Sequence, residues 1–291
     1  MNTTNSANRK ALHTKSIWKS NLLSDIRIAK EAGFAGLEMA GTKVHDYLES
    51  GLEPELVVAA LRQNGMQMIS INDVAHVERT DDASIHQMLT ETEALSQFSQ
   101  KVGCTCIQLV PLLALEKRPW PEIRQLTAIN IRRIADLGAE YGVRFQLEPV
   151  AWSPIHSLAQ SLELIDEVGR DNFGMVIDFW HLWYGGKTTP DDVARMDRKH
   201  IYNIHFGDGK KNPPGTVCDE TDLRGHYVGD GDIPVADWVD AVKASGYQGW
   251  WSYELVSARH WQMDTREVAE TTSRLLDAYV FNPSSIADQG A

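Results

Sequence analysis

The chain has 291 residues, 43% of them hydrophobic, enough to bury a substantial core in one β/α barrel or in two smaller domains. Lys and Arg total 28 against 40 Asp and Glu, a net charge of −12, so the mean surface field repels phosphate backbones and anionic membranes and argues against a nucleic-acid partner. The opening MNTTNSAN is polar, and no run approaches the roughly 18 apolar residues of a membrane span, so a cytoplasmic protein without membrane attachment is expected.

Short apolar runs alternate with stretches of helical spacing, the pattern of repeated β/α units on a parallel sheet. Eight strands are predicted, at Lys10 to Thr14, Gly36 to Ala40, Gln67 to Asn72, Thr105 to Pro111, Val143 to Glu148, Phe173 to Asp178, Ile201 to His205 and Gly249 to Glu254. The fold class is therefore a single parallel (β/α)8 TIM barrel over residues 9–281, with frayed tails at 1–8 and 282–291. Helices are predicted over Pro121 to Tyr141, with Ile123, Leu126, Ile134, Leu137 and Tyr141 on one stripe, and over Thr265 to Val280, with Asp264 or Thr265 as N-cap. Gly33, Gly65, Gly103, Gly142 and Gly246 each separate a helical stretch from the next strand, where a helix closes in left-handed geometry. Cys104 and Cys106 fall in an apolar run without a second Cys or His pair, and with Cys218 they read as reduced thiols rather than metal ligands.

A polar residue closing an apolar barrel strand lies on the face where ligands bind. The last four strands end this way, in VRFQLEP (Glu148), FGMVID (Asp178), IYNIHFGDG (His205) and WWSYEL (Glu254). One such residue alone is more commonly a solvated loop edge or a structural hydrogen-bond partner. Four in successive strands form a set. Three carboxylates converging in one pocket raise one another's pKa values unless a cation neutralises them, so these four are expected to ligate one divalent metal. Oxygen donors with one imidazole and no thiolate suit Mn2+ first, then Mg2+, Co2+ or Fe2+, with Zn2+ less favoured.

The segments LEPVAW, VIDFWH, NIHFGDG, LRGHYVGDGDIP and SYELVS, with GFAGLEMAG at the second strand, resemble the signatures of the xylose isomerase-like barrel superfamily over nearly the whole chain. That superfamily includes sugar isomerases and epimerases, inosose and dehydroshikimate dehydratases, keto-glycoside-cleaving enzymes and apurinic endonucleases. The resemblance implies that Glu148, Asp178, His205 and Glu254 hold the metal, that His181 contacts substrate, and that Arg224 binds substrate, with His226 two residues beyond. The endonuclease branch has further ligands where this chain has Asn72, Gln108 and Arg224-Gly-His226, so a trinuclear cluster and a DNA-repair role are disfavoured.

The implied reaction is isomerisation or epimerisation of a ketose or keto-sugar through a metal-stabilised enediolate, with Glu148 and Glu254 as the acid/base pair and His181 assisting. The alternative is a lyase on the same scaffold: an inosose or dehydroshikimate type dehydratase, or 3-keto-glycoside cleavage including C-deglycosylation. A non-catalytic sugar binder ranks last.

Trp18, Trp152, Trp180, Trp183 and Trp261 follow strands on the same face and offer rings for sugar C–H faces, with packing between loops as the plain alternative for each; Gln108 joins the substrate-binding set. The long segment Gly207 to Gly231 is a candidate lid or oligomer contact, and its Lys210 and Lys211 a lesser phosphate site. Glu38, closing the second strand, and His76 are placed outside the catalytic set. Expected partners are a small-molecule sugar or glycoside and further copies of the chain in a homo-oligomer, with a hetero-oligomer as the alternative.

Overall fold

A computed structural model describes residues 9–213 and 219–283. The two expected tails fall largely outside these limits, and Cys218 falls wholly outside them. Eight parallel strands close into a barrel in chain order: β1 Lys10–His13, β2 Gly36–Ala40, β3 Gln67–Ala75, β4 Cys106–Val110, β5 Arg144–Leu147, β6 Phe173–Asp178, β7 Ile201–Phe206 and β8 Trp250–Tyr253. Closure is made by β1 against β8, with Leu12 beside Tyr253. Every predicted run thus forms a strand. Glu148 and Glu254 stand one residue past their strand ends, yet their backbone N–H groups still donate to Leu109 and Phe206 of the neighbouring strands. Their side chains are therefore set by the ladder rather than by a loop.

The helix expected from residue 121 runs over Trp120–Ala139, but its buried face is rotated from the expected stripe. Ile123, Thr127, Ile131, Ile134 and Gly138 face the barrel, while Leu126 and Leu137 flank that face, half-buried. The small residue is required at Gly138, where a Cβ would fall 2.3 Å from the Phe145 ring of β5. Asp264 caps the last helix, Thr265–Leu276, accepting from the backbone N–H groups of Arg266 and Glu267. The chain then makes a wider π turn at Asp277–Phe281. The five separator glycines all have positive φ, as their positions predicted.

Cys104 and Cys106 are free and buried, and burial raises the thiols to about 12 and about 11, so neither carries the thiolate that metal binding requires. Among the described residues, no helix is long and apolar enough to cross a membrane.

Candidate metal centre

The four strand-end residues predicted as ligands converge. One donor atom from each of Glu148, Asp178, His205 and Glu254 lies within 4.8 Å of the others, and all four side chains are buried. His205 Nδ1 faces Glu148 Oε1 at 2.8 Å, Glu254 Oε2 at 3.1 Å and Asp178 Oδ2 at 3.4 Å. Burial disfavours a charged imidazole, but Glu38 and Glu254 outweigh it and hold His205 well above its ordinary range. The pocket draws positive charge strongly. Three carboxylate oxygens and one imidazole nitrogen at this spacing fit a single hard or borderline divalent ion.

The carboxylates are not equivalent. Burial raises Glu148 to about 7, against the pull of His205 and helped by Glu254 and Asp178. Burial presses the same way on Asp178 and Glu254, yet the Arg224 guanidinium outweighs it and holds both below the usual carboxylate range. Arg224 Nη2 lies 2.7 Å from Asp178 Oδ2 and 2.5 Å from Glu254 Oε2. Its Nη1 donates to Glu220 Oε1 at 2.8 Å and stands 3.0 Å from His181 Nε2. Trp180 packs beneath the guanidinium at 5.4 Å, 1% exposed, with its Nε1 donating to Lys210 O.

Asp178 also starts the next helix: its Oδ1 accepts the His181 backbone N–H at 2.7 Å, joining the metal set to the predicted substrate histidine. The His181 ring accepts from Ala151 N–H at Nδ1, 3.2 Å away. Arg224 Nη1, which can only donate, faces the other ring nitrogen, so both nitrogens of His181 meet donors and the neutral ring accepts fully from one of them at a time. The ring is held neutral at working pH, its pKa lowered to about 4 by burial.

Gln108 is placed differently from the open substrate contact expected of it. Its Nε2 donates to Glu148 Oε2 at 2.9 Å and its Oε1 accepts from Gln146 at 3.0 Å, so one end of the amide holds Glu148 and the other is held by Gln146. Trp152, 37% exposed, stands edge-on to His181 and Trp180. Trp18 and Trp261 pair on the far side of the mouth at 6.0 Å. His226 lies on the Arg224 loop, where its backbone pairs with Asp208. Lys211 Nζ stands over the Trp183 ring at 4.6 Å.

Three residues that sequence reasoning left out of the set sit against it. Glu38, expected at the close of its strand, is at the middle of β2 and points into the barrel, where Oε2 meets His205 Nε2 at 3.0 Å and Oε1 accepts from Gln146. His13 and Lys15, at the end of β1, approach Glu254 Oε1 at 3.5 Å and 3.8 Å. An imidazole closing the run KALH carries the same strand-end signal that identified strands five to eight. Asn72 is 1% exposed and neither end of its amide has a partner among the described residues.

A family model for xylose isomerase-like TIM barrels matches residues 26–279. The inosose isomerase of Halalkalibacterium halodurans is 25% identical over 255 residues, 87% of this chain and 89% of that enzyme. The 3-dehydroshikimate dehydratase of Bacillus anthracis is 24% identical over 182 residues, 62% of this chain and 64% of that enzyme. Among solved structures, the IolI protein with a bound zinc atom superposes with a TM-score of 0.86 at 21% identity, covering 93% of this chain and 97% of its own.

Proposed function

This chain belongs to the xylose isomerase-like TIM barrel family, and from that premise we propose that it is a divalent-metal-dependent isomerase or epimerase of a keto-sugar, with Glu148 and Glu254 as its acid/base pair. The observation that carries the reading is the placement of the two glutamates around one ligand cluster. Each has one oxygen in the ligand cluster and one turned out of it. Glu148 turns Oε1 to His205 and Oε2 to Gln108, and Glu254 turns Oε2 to His205 and Oε1 toward His13 and Lys15, so each can hold an ion through one oxygen and exchange a proton through the other.

A divalent ion held by Glu148, Asp178, His205 and Glu254 would supply Lewis-acid stabilisation of the oxyanion that forms as an α-proton leaves. Mn2+ is our first choice for the donor set; the zinc in the related IolI structure supports a single divalent ion and makes Zn2+ the comparison metal. Glu254 Oε1, which has no hydrogen-bond partner among the described residues, is the oxygen that takes the proton. Glu148 returns a proton on the other side, its orientation fixed by Gln108. The His181 ring and the Arg224 guanidinium orient the substrate oxygens, and Trp152 borders them.

The second reading is elimination, favoured by the dehydratase relative. It uses the same proton abstraction by Glu254, with Glu148 delivering the proton to the departing oxygen. The test is incubation of chelator-treated, Mn2+-reloaded protein with an inosose and with ketohexoses in D2O, followed by NMR. Deuterium at the carbon next to the carbonyl, with isomer formation, is expected. An enone absorbance selects the lyase. Neither signal across both substrate classes would remove the proposal.

A further inference from the structure

The turn after β1 contacts the metal centre on the Glu254 side. It is a 3-10 turn at Thr14–Ile17, capped by the His13 ring, whose Nδ1 accepts the Lys15 backbone N–H at 3.1 Å. Ser16 joins this turn to the backbone on both sides of Glu254: its Oγ donates to Tyr253 O at 3.2 Å and accepts from Leu255 N–H at 2.9 Å. Thr14 Oγ1 accepts from Ala40 N–H at 2.8 Å, and Trp261 Nε1 donates to Lys15 O at 2.6 Å. The turn is thus tied to β2, to the Glu254 backbone and to the loop after β8.

These ties bring two side-chain nitrogens up to one oxygen. Because His13 Nδ1 accepts a backbone N–H, its proton is on Nε2, which points at Glu254 Oε1 from 3.5 Å. Both atoms are buried and have no hydrogen-bond partner among the described residues, so each is available to the other. Lys15 Nζ stands 3.8 Å from the same oxygen, with its side chain 27% exposed toward the barrel mouth. The other oxygen, Oε2, is the one beside His205 Nδ1.

We infer that His13 and Lys15 are positioning residues that keep Glu254 Oε1 out of the ligand cluster, dividing the carboxylate into one ligating oxygen and one proton-transferring oxygen. Without them a buried carboxylate beside a cation has every electrostatic reason to turn both oxygens inward. The inference rests on the proposed metal centre and deepens the acid/base assignment of Glu254.

The test uses Co2+ as a coordination probe in the full chain, comparing the parent protein with Lys15→Met and Lys15→Arg after thermal melts show that each is folded. Lys15→Met is expected to weaken the Co2+ visible bands, as a higher coordination number does, and to tighten Co2+ binding by about tenfold, the scale of outer-shell effects on metal sites. With a substrate from the D2O experiment, kcat should fall about 100-fold with KM little changed, as for loss of a general base. Lys15→Arg should restore both the spectrum and kcat. A Lys15→Met spectrum and Co2+ affinity equal to the parent's would overturn the inference while leaving the metal centre intact. Failure of the parent to bind Co2+ would overturn the metal centre and this inference with it.

Discussion

His205 uses its two ring nitrogens for two different carboxylate environments: Nδ1 faces Glu148, Glu254 and Asp178, while Nε2 lies 3.0 Å from Glu38 Oε2 inside the barrel. A carboxylate behind a ligating imidazole fixes the tautomer that leaves the front nitrogen free to ligate, and raises its basicity. Glu38 is itself held by Gln146 and Asn203, so the barrel interior under the metal set is a hydrogen-bonded platform rather than an apolar plug.

Replacing Glu38 by Gln should therefore weaken Mn2+ binding about 10- to 100-fold while leaving all four proposed ligands in place. Calorimetric titration of chelator-treated protein measures this directly. The same titration followed by thermal melting should show the parent stabilised by roughly 2.7 kcal/mol at 100 Kd of free metal. Unchanged affinity in Glu38→Gln would mean that the Glu38 contact does not tune the imidazole.

Asp208 organises the loop that carries Arg224. Its Oδ1 accepts from Gly209 and Ile233 N–H and its Oδ2 from Gly229 and Gly231 N–H, at 2.7 to 3.1 Å. A Cβ at Gly231 would fall 2.1 Å from Oδ1, so glycine there is a requirement of this close approach. Asp208→Asn turns an amide N–H2 toward backbone donors, and should cost about 3 kcal/mol or more in urea unfolding, since hydrogen bonds to a charged group contribute about 1.5–3 kcal/mol each. Turnover should fall further than the folded fraction does, because Arg224 loses its support.

Asp25 and Lys43 form a buried ion pair at 2.7 Å, away from the metal set. Removing one member leaves an uncompensated buried charge, so Lys43→Met should destabilise by about 3–5 kcal/mol, and the double variant Asp25→Leu/Lys43→Met by much less. Burial, opposed by Lys43, raises the Asp25 carboxyl to about 6, above its unfolded value near 4. A group whose folded pKa is raised binds its proton more tightly when folded, so its contribution is complete below pH 4 and is lost as pH rises through 6. The stability of the parent relative to Asp25→Asn should decline between pH 4 and pH 6 and level off above. A difference independent of pH over that window would refute the assignment.

The eight strands and the residues closing the last four were legible in the sequence because both are local patterns: a short apolar run, a glycine before it, one polar residue after it. That pattern was enough to assemble Glu148, Asp178, His205 and Glu254 as a candidate set, since barrel closure brings the ends of successive parallel strands to one face. It was not enough for Gln108, whose amide is turned to Glu148 and Gln146, or for Glu38, whose partner His205 is 167 residues away. Whether a helix face is centred on Ile131 or on Leu126 likewise depended on which neighbour packed against it. The sequence by itself determined which chemical groups reach the barrel mouth. Only the tertiary structure decided which oxygen of each carboxylate faces the ligand cluster and which faces Lys15, His13 or Gln108, because those choices are made by side chains from β1, β4 and the loop carrying Arg224, joined to their partners by barrel closure rather than by spacing along the chain.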